Sequence, residues 1–145
     1  MPEPLIYDDD FIRGILRRTH VIAMVGASTN WNRPSYFVMK YLQRKSYRII
    51  PVNPGAAGQE ILGEPVVASL ADIRAPVDMV DIFRNSEAAG PIADEAIAIG
   101  AKTVWMQIGV RNDAAAARAK AAGLDVVMDR CPKIEIPRLG VAKIG

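Results

Sequence analysis

The 145-residue chain has one cysteine, Cys131, and one histidine, His20. A single cysteine excludes an internal disulfide and fits a reducing compartment. One thiol and one imidazole also exclude an all-protein zinc site of the usual kind. No stretch approaches the roughly 20 apolar residues that span a bilayer. The start, Met1-Pro2-Glu3-Pro4, lacks the basic and apolar regions of a signal peptide, so a cytoplasmic location is expected. A large charge of one sign is missing too. Eighteen Lys and Arg face sixteen Asp and Glu, and a net +2 gives no support to broad nucleic-acid binding.

What is present is a core. Half of the residues are hydrophobic and 23% are charged, which describes a globular chain of one domain. Its pattern alternates apolar runs with helical periodicities. Residues 8–18 read as a helix, with acids at its start and Arg17 and Arg18 at its end. Apolar strands are expected at 20–25, 47–52, 77–83, 102–106 and 124–128, with a short one within 63–67. Helices are expected at about 34–45, from Ser86 to about Ile99, and after Asn112 or Asp113. The 34–45 helix would bury Phe37, Val38, Tyr41 and Leu42, and one helical turn is expected from Ser69 to Ile73. Strands separated by helices imply parallel pairing through right-handed crossovers. The expected architecture is a single doubly wound, Rossmann-like α/β sheet with helices on both faces. Its core covers about 8–136, and residues 137–145 form a loosely held tail.

In such sheets ligands lie across the carboxyl ends of the strands, where strand order reverses. The segments leaving those ends are Gly26-Ala27-Ser28, Asn53-Pro54, Phe83-Arg84 and Gln107-Ile108-Gly109. Gly26-Ala27-Ser28 lies between an apolar strand and a helix opening at Pro34, so backbone N–H groups and the helix dipole favour an anion there. A domain that binds NAD commonly places an acid at the end of its second strand. Here the residue is neutral Asn53, and no GxGxxG is present, so a phosphate-bearing ribose is favoured over ordinary NAD.

Six segments in this order resemble the small, single-domain CoA-binding proteins, which share a fold with the CoA-binding domain of the succinyl-CoA ligase α subunit. They are Val25-Gly26-Ala27-Ser28, Arg33-Pro34-Ser35-Tyr36, Pro51-Val52-Asn53-Pro54, Val80 to Arg84, Trp105 to Val110, and Asp129 to Glu135. The resemblance implies a coenzyme A pyrophosphate over Gly26, Ala27, Ser28, Asn30, Arg33, Pro34 and Ser35. It implies adenosine between Val52, Asn53, Pro54 and Phe83, phosphate within reach of Arg84, and the pantetheine arm near Gln107 and Gly109. The chain departs from the family pattern at Gly55, where relatives often carry a lysine suited to the ribose 3′-phosphate. It departs again at Ile136, near which some relatives carry a histidine.

Catalytic machinery is harder to find. A nucleophilic Ser28 needs a base, and His20 belongs at the opposite end of its strand. Cys131 has Arg130 and Lys133 beside it, which could activate a thiol, but it also reads as a small buried residue before Pro132. Trp31 reads equally as an adenine stack or a loop residue, and Trp105 as core. Asp78 and Asp81 read as solvated strand ends or loop caps, and Arg111, Arg118 and Lys120 as a solvated helix face. The resulting expectation is a module that binds CoA or an acyl-CoA without catalysing a reaction. The alternatives are an NAD(P)-dependent oxidoreductase, an acyl-CoA thiol enzyme using Cys131, or an interaction subunit that has lost its ligand. A small nucleotide is the expected partner, with a homodimer or a partner enzyme open and no membrane or nucleic acid expected.

Overall fold

The computed structural model describes residues 3–144. Met1, Pro2 and Gly145, which belong to the expected start and tail, lie outside the described residues. Five helices and seven strands follow in the order α1 (Asp9–Arg18), β1 (Val21–Val25), α2 (Pro34–Arg44), β2 (Arg48–Val52), β3 (Glu60–Ile61), β4 (Glu64–Pro65), β5 (Met79–Ile82), α3 (Ser86–Ala98), β6 (Thr103–Met106), α4 (Asp113–Ala121), β7 (Asp125–Val127) and α5 (Pro132–Arg138). Strands β2, β1, β5, β6 and β7 form, in that order, one parallel sheet. The chain leaves β1 for β2 on one side and returns to β5 on the other. The strand order therefore reverses between β1 and β5, and a crevice opens at their carboxyl ends.

Side chains alternate across the sheet because strand periodicity is two. Ile22, Met24, Met79, Trp105 and Val127 point to one face and pack under α1, α2 and α5. Ala23, Val25, Val80, Ile82, Val104, Met106 and Val126 point to the other, under α3 and α4. Those two helices present alanines (Ala89, Ala93, Ala96, Ala115, Ala116, Ala119), whose short side chains let them approach closely. The fold is the doubly wound α/β sheet that the alternation of apolar segments implies. Trp105 is core, and its indole N–H donates to the Arg130 carbonyl at 2.8 Å.

Several local readings need correction. The short strand expected within 63–67 is an antiparallel hairpin, β3–β4, followed by a single parallel bridge from Val67 to Val52. Asn53 N–H donates to Val67 O and Val67 N–H to Pro51 O, so the sixth position of the sheet is one bridge wide. The turn near residue 70 is a 3-10 helix, Leu70–Asp72. Asn85, not Ser86, caps α3, its side chain accepting from Ala88 N–H at 2.8 Å. Ser86 is free to accept from Arg111 N–H instead, tying the α4 approach to α3. Phe37 is 47% exposed and points away from the core, while Ser35 and Met39 go inward. The described part of the tail is packed. Pro132 opens α5, Val141 and Ile144 are buried, and Ile144 N–H donates to Lys45 O at 3.1 Å.

Candidate functional site

Strand β1 ends at Gly26, whose φ of +89° lies in the left-handed region that favours glycine. A side chain there would also collide. A Cβ would lie 3.0 Å from Arg84 Cδ and 3.2 Å from the Phe83 carbonyl carbon and oxygen. The β1 and β5 exits thus approach backbone to backbone, with the Arg84 stem across Gly26. Gly26 N–H donates to Val52 O and Phe83 N–H to Val25 O, which locks the three strand ends together.

A cleft of about 450 Å³ opens above this junction, lined by Gly26, Ser28, Asn30, Arg33, Pro34, Ser35, Asn53 and Phe83. No acid is among them. Helix α2 begins there with extended Arg33 as its N-cap, no side-chain cap, and Pro34 in its first turn. The positive end of the helix dipole and a guanidinium therefore occupy the same place, an arrangement that lacks an anion.

The polar side chains of the corner are mostly engaged with each other. Ser28 N–H donates to Ser35 Oγ at 3.1 Å, and Ser28 Oγ accepts from Asn30 N–H at 3.0 Å. Asn53 Oδ1 accepts from Gly55 N–H at 2.9 Å, and its Nδ2 donates to Ala27 O at 2.8 Å. Asn53 is therefore a brace between the β2 exit and the β1 turn as well as a neutral cleft wall. Neutrality could be read from the sequence, but the bracing could not.

Eight of the fourteen expected residues meet at the cleft, and six stand elsewhere. Ala27 and Val52 are buried, each in one of the two cores. Pro54 is exposed on the short 3-10 turn beyond β2, and Arg84 packs its stem close to Gly26 without lining the cleft. Gly109 faces solvent, with its N–H donating to Asp129 Oδ1 at 2.7 Å. Gln107 is buried, and its amide donates to Asp81 at 3.1 and 3.3 Å. Trp31, 69% exposed, is not part of the wall.

Asp81 corrects the expectation of a solvated strand end. It lies between Met24 and Trp105 in the sheet and is fully buried. Burial pushes its carboxyl up to about 7, and the Gln107 hydrogen bond only partly opposes that. The signal was available, since Met79, Asp81, Trp105 and Gln107 share the parity of one covered face. Asp78 is the cap that the sequence allowed, its Oδ2 accepting from His20 N–H at 3.0 Å and Val21 N–H at 2.9 Å. Cys131, 7% exposed, sits near Asp81 and Gln107, and burial raises its thiol above the usual range. A raised, buried thiol is poorly suited to nucleophilic attack. His20 is exposed at the far end of β1, roughly 16 Å of strand from the cleft. Arg111 and Arg118 are paired with Asp113 and Asp94 rather than simply solvated.

Fold and cleft together define a Rossmann-like α/β domain with a positively charged, acid-free crevice at its switch point. The CoA binding domain family matches residues 20–137, and the chain belongs to that family. It is 41% identical over 123 residues to the uncharacterized protein YneT of Bacillus subtilis (strain 168), spanning 85% of this chain and 90% of that one. It is 38% identical to a hypothetical protein from Pyrococcus horikoshii OT3, with a TM-score of 0.88 over 96% of this chain and 99% of the other. At the level of fold alone it is similar to the dinucleotide-forming acetyl-coenzyme A synthetase 1 of Ca. Korarchaeum cryptofilum. That similarity has 21% identity and a TM-score of 0.69, and covers 83% of this chain and 27% of that one. Among the described residues, no helix is long and apolar enough to cross a membrane, and no cluster of His, Cys, Asp and Glu could hold a metal ion.

Proposed function

We propose that this chain binds coenzyme A or an acyl-CoA in the cleft above Gly26, as a module without a reaction of its own. The observation that carries the reading is the uncapped, arginine-bearing start of α2 in a crevice that contains no acid. A pyrophosphate placed over Gly26, Ser28 and Ser35 would supply the missing negative charge. Adenosine would lie between Asn53 and Phe83, with Arg84 supporting the phosphates from beside the glycine. Family membership supports the choice of CoA over other nucleotides. Against an acyl-transfer step stand the buried Cys131 and the distance of His20 from Ser28. Calorimetry with CoA, dephospho-CoA, NAD and NADP tests the reading. CoA is expected to bind, and Arg33→Ala with Arg84→Ala to weaken it at least about a hundredfold, since each charge-assisted bond contributes about 1.5–3 kcal/mol. Binding of NAD without CoA overturns it.

Gly55 supports a second reading, a subunit that has lost part of its ligand contact. Its position is exposed and without positive φ, and a Cβ would sit at ordinary contact distance, 3.4 Å, from Asn53 Oδ1. Gly55→Lys therefore fits without strain. A gain in preference for CoA over dephospho-CoA in that variant would locate the 3′-phosphate there.

A further inference from the structure

Asp81 lies inside the sheet, fully buried between Met24 and Trp105, and lines no part of the cleft. Both of its oxygens face one group, the Gln107 amide nitrogen, at 3.1 and 3.3 Å. Among the described residues no cation pairs with it. The buried side chains of α1 and α2 are apolar apart from Ser35. The buried acid of α5, Glu135, is held by Arg138 at 2.8 Å, and the Tyr47 hydroxyl donates to Leu16 O. Cys131, in the turn before α5, is the titratable group that the Asp81 charge acts on, and it is pushed up.

A buried carboxylate with one donor and no cation is costly, and taking up a proton from solvent relieves it. The two forms ask different things of Gln107. The carboxylate only accepts, and an amide nitrogen facing both oxygens suits it. The acid carries an O–H that must donate, and the acceptor at hand is Oε1 of the same amide. Side by side, acid and amide satisfy each other, O–H to Oε1 and Nε2–H to the remaining oxygen. That pairing requires the amide to turn.

Gln107 has little room to turn alone. It is 6% exposed, and its carbonyl closes a tight turn by accepting from Val110 N–H at 2.8 Å. Its own N–H donates to Ile82 O at 3.2 Å, one residue before Phe83 of the cleft wall. The far side of the turn is anchored, with Gly109 N–H on Asp129 Oδ1 at 2.7 Å. Gly109 and Asp129 both have left-handed φ, +85° and +58°, and a non-glycine residue keeps that conformation only where its surroundings hold it. A movement of the amide therefore passes into the segment between the two anchors.

We propose that Asp81 and Gln107 form a proton-operated latch on the 107–110 turn. Ionised Asp81 holds the amide nitrogen alone, protonated Asp81 engages the amide oxygen as well, and the turn beside the cleft shifts between two positions.

The test is a titration of isotope-labelled protein from about pH 5 to about pH 9, read by nuclear magnetic resonance. The Gln107 side-chain amide and the Gly109 backbone amide should shift together, with a one-proton midpoint at about 7. Asp81→Asn should remove that midpoint from both. Gln107→Met has similar length and no amide. It should leave the Asp81 carboxyl carbon titrating, at a higher midpoint because a bond to the carboxylate is gone, while Gly109 no longer follows. His20→Asn and Cys131→Ala should leave the midpoint in place. A midpoint that persists in Asp81→Asn, or vanishes in His20→Asn, overturns the proposal. So does a Gly109 resonance that stays still while Asp81 titrates, or that still follows it in Gln107→Met. If Asp81→Asn does not fold, the Asp81 carboxyl carbon of the natural chain, read against Gly109, decides the matter.

Discussion

The two ends of β1 solve the same problem in opposite ways. At its start, the N–H groups of His20 and Val21 both meet the carboxylate of Asp78, so the protein supplies its own negative charge. At its finish, the first turn of α2 has no side-chain cap, and the nearby charges are Arg33 and Arg84. One end is complete within the fold, whereas at the other no side chain caps the helix. That contrast marks the candidate site more sharply than cleft volume does, because a surface groove lined by Phe37, Lys40, Tyr41, Arg44 and Lys133 is almost as large, at about 420 Å³. Three experiments break or sharpen it.

The largest effect belongs to the carboxyl that lies between the two ends. Asp81 is buried with Gln107 as its side-chain donor, whereas Asp78 serves two amides at a half-exposed edge. An acid raised in the folded state binds its proton more tightly there than in the unfolded chain. Its contribution is therefore fully present below about pH 4 and is lost as pH rises to about 7. Across that window the loss is roughly 4 kcal/mol for a shift of this size. Asp81→Asn cannot ionise, so denaturation curves should show it gaining on the natural chain between pH 4 and 7, with the difference level above that. Parallel pH profiles for the two proteins would mean that Asp81 titrates normally.

The middle effect tests the close approach beneath the cleft. Gly26→Ala combines a left-handed φ with a Cβ 3.2 Å from the Phe83 carbonyl, and should cost about 2–4 kcal/mol. Gly58 is the matched control, with φ of +87° and nothing within 4 Å of a Cβ, and Gly58→Ala should cost only about 1 kcal/mol. Equal losses in urea titrations would show that backbone conformation alone demands glycine at position 26, and that the β1 and β5 exits have room between them.

The sequence made the sheet legible because most residues of the covered strands are apolar and breaking or capping residues stand near most helix ends. Gly26, Asn53 and Phe83 fell at strand ends, which placed the cleft. What was hidden depended on contacts between distant segments. Asn85 and Ser86 are both good caps, and only the α4 approach, which takes the Ser86 hydroxyl, decides between them. Helix α5 carries Pro132 and Pro137 in seven residues and looks like a breaker segment until α1 and α2 pack on it. Phe37 sits at a helical spacing that serves the core or the solvent, and Met39 takes the inward place. Gln107 leaves its strand in the expected direction, but its parity turns the amide under the sheet toward Asp81.

The smallest effect is also the most diagnostic, because two measurements should move in opposite directions. Arg33→Asp places a preferred N-cap residue on extended backbone at the head of α2, where its carboxylate can accept a helical N–H and meet the dipole. The far end of β1 then becomes a copy of the near end, with the fold supplying its own anion. Stability without ligand should rise by about 1 kcal/mol, while affinity for CoA should fall at least about tenfold through lost attraction and new repulsion. A variant that is more stable and binds as before would place the anion away from α2. A variant that is less stable would show that Arg33 already has a role in the fold, and that the missing charge at this corner is not an invitation to a ligand.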